Sequence, residues 1–208
     1  MELKQALSEL RKNEKRNFNQ SIDLIVNLKS IDLKKDSINT IIKIPYKVKE
    51  KKVCGFLTKK SNIVKTITQL DFVKYKDKKQ LKKIVKEFDF FIAAAPLMPA
   101  VATTFGKVLG PSGKMPSPQL GILMKEDEEN IKQLLISIDL SVKLRAKEAS
   151  IKLIAGKESM KDDQILANID ALYQGIVSAL PNKKENVKNV MIKTTMSKPI
   201  KVEIKSWR

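Results

Sequence analysis

Residues 88–118 read FDFFIAAAPLMPAVATTFGKVLGPSGKMPSP, and their pattern decides the fold. Phe90 to Ala95 is a short, continuous apolar run, the signature of a strand buried on both faces, as in a parallel sheet. Pro96 and Pro99 sit where a helix can begin, because the first helical turn has N–H groups to spare. Met98, Val101, Ala102, Phe105 and Leu109 then recur at three- and four-residue spacing, which predicts a helix with one apolar face. Gly110-Pro111 is expected to stop it. Gly106, Gly110 and Gly113 among prolines 111, 116 and 118 predict a fixed loop rather than a phosphate cradle. A P-loop needs G-x-x-x-x-G-K-[ST] after a strand. Gly113-Lys114 supplies its end, but Val108 stands at the first Gly, Met115 at the magnesium-binding hydroxyl, and the loop follows a helix.

Working outward, the segment before this stretch alternates short strands and helices. Val53 to Leu57 reads as a strand and Asn62 to Leu70 as a helix, with Ile63, Ile67 and Leu70 on one face. Phe72 to Tyr75 reads as another strand, and a helix opens at Asp77 with Gln80, in the spacing of a capping box. After it, Glu126 to Ile136 reads as one more helix, carrying Ile131, Leu134 and Leu135. Such alternation predicts a parallel sheet covered by helices, a Rossmann-like three-layer α/β domain.

The flanks have a different rhythm. Leu3, Ala6, Leu7 and Leu10 make a helical stripe. Ile22, Leu24, Val26 and Leu28 alternate with Ser21, Asp23, Asn27 and Lys29, and Ile38, Ile42 and Ile44 share one face of a second strand. From Asp139 the period of two returns: Leu140, Val142 and Leu144 alternate with Lys143, Arg145 and Lys147, and Ile151 and Leu153 flank Lys152. Ser159 with Asp162 resembles an N-cap before a long stripe of Ile165, Ile169, Leu172 and Ile176. Strands Val187 to Thr195 and Ile200 to Ile204 close the chain. Neither flank closes a core alone, so residues 1–46 plus 139–208 are expected to form one discontinuous α+β domain, with 47–138 inserted.

Charge narrows the function. The chain of 208 residues carries 41 basic and 23 acidic residues, a formal +18, and all but four of the basic ones are lysine. That excess favours a polyanion partner, since neutralising phosphates releases counterions. No long basic amphipathic helix suggests a membrane surface, and no apolar run is long enough to span one. The opening MELKQALSELRK does not resemble a signal peptide, and one cysteine, Cys54, leaves no internal disulfide, so a reducing cytosol is expected. The sequence has no histidine, which removes the usual proton shuttle and the commonest zinc ligand. No cofactor is expected. The 11 aromatic residues are too scattered for a single-strand stacking platform.

Two stretches carry a family resemblance. FDFFIAAAPLMP followed by GKVLGPSGKMPSP resembles the signature of the universal large-subunit ribosomal protein L-one family, of the archaeal and eukaryotic type, although Ser112 stands where the family is expected to have Arg. Met191-Ile192-Lys193-Thr194-Thr195-Met196-Ser197-Lys198-Pro199 resembles the second signature, T-T-M-G or S-T-M-G, with Ser197 in place of Gly. The resemblance implies two domains joined by a two-stranded hinge, with the main RNA site on the split one. It implies binding to the large-subunit ribosomal RNA of the mobile stalk near the exit site and help in moving deacylated tRNA out. In many members it also implies repression of their own mRNA. No enzyme is implied, and a monomer is expected off the ribosome.

The RNA-facing positions implied are Thr195, Met196 and Ser197 with Lys193, and Phe18, Gln20 and Ser21 at the start of the first strand. Hydroxyls and turn backbone can meet ribose and phosphate, and a Met can lie on a base or sugar. For Phe18 a second reading stands beside this one, since it shares parity with core-facing Ile22 and Leu24. Thr195 likewise reads as a plain strand end, because Thr favours strands. Lys143, Arg145 and Lys147 read either as a solvated strand face or as a phosphate-contacting comb. Gly110, Pro111, Gly113 and Lys114 are a possible second RNA or tRNA contact, and Lys74, Lys76, Lys78, Lys79, Lys82 and Lys83 a solvated rim. Formal charges are +3 for 1–46, +9 for 47–138 and +6 for 139–208, so the inserted segment is the most basic of the three although the resemblance puts the main site elsewhere. Two rivals follow from other features: a non-specific basic RNA chaperone from the charge, and a nucleotide-binding enzyme from the α/β insertion.

Overall fold

A computed structural model describes residues 1–12, 16–32, 38–75, 77–146 and 148–203. Lys76, Lys147 and Ile204 therefore lie outside the described residues. The chain divides into two compact units, one made of Met1–Val48 with Leu140–Arg208 and one made of Lys49–Asp139.

The first unit is built on β1 (Ser21–Leu28), whose alternate residues Ile22, Leu24, Val26 and Leu28 are all buried, as the period of two dictates. β1 pairs antiparallel with β8 (Ser150–Lys157) on one side and β9 (Val187–Thr194) on the other, and β10 (Ile200–Val202) completes a sheet of order β10-β9-β1-β8. β2 (Asn39–Lys43) and β7 (Ser141–Arg145) form a separate antiparallel pair. The helices α1 (Leu3–Arg11) and α5 (Asp162–Ala179) bury Ala6, Leu7 and Leu10, and Ile165, Ile169, Leu172 and Ile176, in one core shared with the strands of both flanks. Full burial of each such Leu or Ile contributes about 1.5–3 kcal/mol, so neither flank can leave these faces exposed. α5 lies so close to β2 that a Cβ at Gly175 would sit 2.6 Å from Ile42, which only glycine permits. Asn168 of α5, fully buried, accepts from the Tyr46 N–H and donates to the carbonyls of Tyr46 and Ala155, satisfying the chain where it leaves β2.

One cap expectation fails here. Ser159 does not cap α5; the helix begins after Lys161, whose N–H donates to the Gln164 side chain at 3.4 Å, and Asp162 and Asp163 occupy the first turn. Ser159 is instead held by Asn19, donating its N–H to Oδ1 and accepting from Nδ2 at 2.9 Å, which anchors the entry to β1.

The second unit has a wholly parallel sheet of β3 (Val53–Phe56), β4 (Lys65–Ile67), β5 (Phe90–Ala94) and β6 (Ile122–Leu123), in the order β4-β3-β5-β6. β3 and β4 follow one another without a helix between them, and from β4 onward α2 (Lys78–Glu87), α3 (Met98–Ser112) and α4 (Glu128–Asp139) alternate with the strands in sequence. Phe56 is the centre of the core: Phe91 stacks on it at 5.7 Å, Phe72 meets it edge-on at 5.9 Å and Phe105 lies at 4.8 Å.

Four local expectations are corrected in this unit. Residues 62–70 are not a helix: Ile63, Val64, Thr66, Ile67 and Thr68 are β-branched and stiff at χ1, so the segment extends into β4 and pairs with β3. Residues 72–75 are not a strand but part of a 3-10 turn over Gln69–Tyr75, which turns Phe72 into the aromatic core. The Asp77 carboxylate caps α2 through the Lys79 N–H at 3.1 Å rather than at Gln80. Gly110-Pro111 does not stop α3, because a proline in the last turn sacrifices one hydrogen bond without blocking the turn. The stop is Gly113, at φ +70°, where the Gly113 and Lys114 N–H groups donate back to the carbonyls of Gly110 and Leu109 in a Schellman closure.

Candidate nucleic-acid interface

Where β9 ends, Thr194–Ser197 closes a tight turn, with the Ser197 N–H donating to the Thr194 carbonyl at 3.2 Å. β10 does not reach this far: its first residue, Ile200, faces Ile192. The Thr194 N–H thus has no strand partner, and the Ser197 hydroxyl accepts it at 2.9 Å. On the β1 side the Thr195 N–H donates to the Ser21 carbonyl at 3.0 Å, while the Ser21 N–H donates to the Thr195 hydroxyl at 3.1 Å. The next residue out, Gln20, is buried and accepts the Met196 N–H through its side-chain oxygen at 3.3 Å. Serine, threonine and glutamine thus replace the missing ladder bonds and hold the turn against the start of β1.

That fixation leaves Met196 at 65% exposure and Phe18 at 50%, with Thr195 and Lys198 also exposed. Phe18 is therefore not a core residue; it precedes β1 and its parity with Ile22 does not carry that far. Gln20, Thr194, Met196, Ser197, Lys198 and Ile200 line a half-open cleft of about 430 Å³ together with Glu9 and Arg16. Glu9 and Arg16 were not singled out in the sequence. The available signal was that two of only four arginines, Arg11 and Arg16, precede β1; arginine is the cation suited to bidentate phosphate recognition. Arg11 is committed elsewhere, donating to the carbonyls of Glu158 and Met160 and pairing with Asp162.

Lys193 lies next to the turn, opposite Asp23 on the face of the sheet away from the core. Burial raises the Asp23 carboxyl above the usual carboxylate range, and the Lys193 charge partly counters that rise. Lys143 and Arg145 are on β7, facing Ile41 and Asn39 of β2, and do not line the cleft. Burial, with the Arg145 charge beside it, lowers the affinity of Lys143 for its proton.

Gly110, Pro111, Gly113 and Lys114 lie in the other unit. Gly110 and Pro111 are exposed, but the Lys114 ammonium donates to the carbonyls of Val85 and Phe88 at 2.7 Å each, at the C-terminal end of α2. Lys79, Lys82 and Lys83 are exposed on α2, as a solvated rim requires. Cys54 is buried and its thiol is pushed up to about 12 by desolvation. Among the described residues no cluster of Cys, Asp and Glu has the arrangement to hold a metal ion, and no helix is long and apolar enough to cross a membrane.

The fixed turn borders a cleft lined by Arg16, Lys198 and Glu9, on a chain of +18 formal charge, the composition expected of a class of protein with polyanionic partners. Comparison with known proteins gives the class its family. The model of the ribosomal protein L1p/L10e family matches residues 10–198. The large ribosomal subunit protein uL1 of Methanocaldococcus jannaschii is 33% identical, covering 97% of this chain and 94% of that protein. The uL1 proteins of Picrophilus torridus and Cenarchaeum symbiosum are 34% and 30% identical, over 92% and 96% of this chain and 92% and 95% of theirs. The chain belongs to the ribosomal protein L1p/L10e family, a structural and non-enzymatic one.

Proposed function

We propose that the chain is a structural constituent of the large subunit of the cytoplasmic ribosome. It binds the ribosomal RNA of the mobile stalk through the surface formed by Phe18, Gln20, Ser21, Lys193, Thr195, Met196 and Ser197. The observation that carries this reading is the turn at Thr194–Ser197, fixed by hydrogen bonds to Ser21 and Gln20 while Met196 and Lys198 remain exposed over a cleft with Arg16. Preorganised backbone and hydroxyl groups suit a folded RNA shape, read through sugar and phosphate. Lys143 and Arg145 add phosphate contacts on the β2–β7 pair. In this reading residues 1–46 plus 139–208 are the RNA-binding domain and 47–138 is a Rossmann-like insertion. Its exposed Gly110-Pro111 turn is a second contact for exit-site tRNA. Release of deacylated tRNA and repression of the chain's own mRNA follow as roles of the same surfaces, and the protein works without a cofactor and as a monomer off the ribosome.

The test is competition between stalk RNA and a random duplex at rising salt. Both affinities fall with salt, as counterion release requires, but the stalk RNA keeps an advantage of about 4 kcal/mol or more, by analogy with specific DNA binders. Equal affinities at every salt concentration would replace this reading with the non-specific chaperone.

A further inference from the structure

The parallel sheet of Lys49–Asp139 contains a topological switch. From β3 the chain crosses to β4 on one side and then returns to lay down β5 on the other. In open α/β sheets of this kind, ligands bind beyond the carboxyl ends of the strands at such a point. The loop that leaves β3 there presents consecutive donors to a single carboxylate. The Thr58 N–H donates to both oxygens of Glu126, at 3.2 and 3.0 Å, the Lys59 N–H to Oε2 at 3.4 Å, and the Thr58 hydroxyl to Oε1. Glu126 itself stands three residues beyond the end of β6, so the carboxyl ends of two strands supply the anion and its donors.

Successive backbone N–H groups with a hydroxyl beside them are the donor set that proteins use for phosphate. Thr58, Lys59, Lys60 and Lys125 are exposed and Glu126 is half-buried, so its carboxylate can leave without opening the core. Lys59 and Lys60 in the loop and Lys125 beside the acid are the neighbouring cations in sequence, set against Glu126, Asp127, Glu128 and Glu129. We propose that this loop is a phosphate-ester site, with the Glu126 carboxylate as a tethered occupant that the ligand displaces. It is separate from the Thr194–Ser197 turn and from the Gly110–Lys114 loop, and it does not rest on the ribosomal RNA reading. The phosphate comes either from a mononucleotide monoester or from the diester backbone of RNA.

The test follows the Thr58 and Lys59 amide resonances of the full chain. The probes are inorganic phosphate, a nucleoside monophosphate and a short RNA without terminal phosphate, against sodium chloride at matched ionic strength. In Glu126→Gln the amides are expected to respond at phosphate concentrations about tenfold or more below those the parent needs, because a tethered competitor acts at an effective concentration on the order of millimolar. Adding Thr58→Val to Glu126→Gln should weaken that response. A response to the monophosphate but not the RNA assigns the monoester source; the reverse assigns the backbone. The parent's own amide shifts keep the test valid should Glu126→Gln fail to fold. The proposal is overturned if all three phosphate probes leave these amides unmoved, or if chloride moves them as far.

Discussion

Two short polar stretches, Gly110–Lys114 and Thr194–Lys198, look alike on paper: each pairs small residues with a lysine at the end of a regular element. Their hydrogen-bonding capacity goes to different places. At Gly110–Lys114 the ammonium itself is turned inward onto the carbonyls of Val85 and Phe88, and the backbone N–H groups of Gly113 and Lys114 close α3. At Thr194–Lys198 only the hydroxyls and amides are used internally, and they fix a turn from which Met196, Thr195 and Lys198 project. What a loop offers a partner is what its own fold leaves uncommitted. A lysine beside glycine is therefore not in itself a phosphate contact.

Lys114→Met tests the inward-turned loop and carries the largest expected effect on stability. Hydrogen bonds from a charged donor are worth about 1.5–3 kcal/mol. Loss of the pair at the end of α2, half-shielded from water, should lower stability by about 2 kcal/mol in denaturant melts and leave stalk-RNA affinity within twofold, roughly 0.4 kcal/mol, of the parent. A large affinity loss at unchanged stability would make Lys114 a contact residue and erase the contrast.

Thr195→Val tests the presented loop. On the proposed function its affinity for stalk RNA should fall roughly 5- to 150-fold, the equivalent of about 1–3 kcal/mol. The same hydroxyl accepts from Ser21, so stability should fall too, by about 1 kcal/mol or less because the site is open to water. Thr195→Ser should restore both, and Lys82→Ala, an exposed lysine on α2, should change stability by no more than about 0.5 kcal/mol. Parent-like RNA binding by Thr195→Val would remove the turn from the interface.

Ser197→Gly sharpens the comparison with the smallest effect. Ser197 is not at positive φ, so its backbone does not require the glycine that the resemblance leads one to expect there. Deleting the hydroxyl frees the Thr194 N–H to water and should cost about 1 kcal/mol in melting experiments, with no gain in RNA affinity. A gain in affinity would show that the hydroxyl obstructs close approach of RNA to the turn.

Periodicity made much of this protein readable before any coordinates. Of the stripe Leu3-Ala6-Leu7-Leu10 the last three are buried and Leu3 is half-buried, while Ile165-Ile169-Leu172-Ile176 and the alternation from Ile22 to Leu28 are buried throughout, because one apolar face of a helix or strand has to leave water. The short elements between Asn62 and Tyr75 were not readable, since three or four residues satisfy a helical and an extended pattern equally and pairing with β3 decides between them. For the interface, the residue types of the turn and of the Phe18–Ser21 entry were legible, but Arg16 and Glu9 were not. They carry no motif, and Glu9 of α1 and Arg16 come to the turn at the end of β9 only in the folded unit.

The sequence by itself determined the charge, the buried faces and the two signature stretches, because these depend on residue type and spacing alone. Only the tertiary structure decided that Lys114 faces inward and Met196 outward, that Ser159 anchors Asn19 instead of capping a helix, and that Glu126 sits on the amides after β3. Each of these is a hydrogen bond between residues distant in sequence. A donor's partner is fixed by which groups the packed core brings within about 3 Å, and no local pattern records that distance.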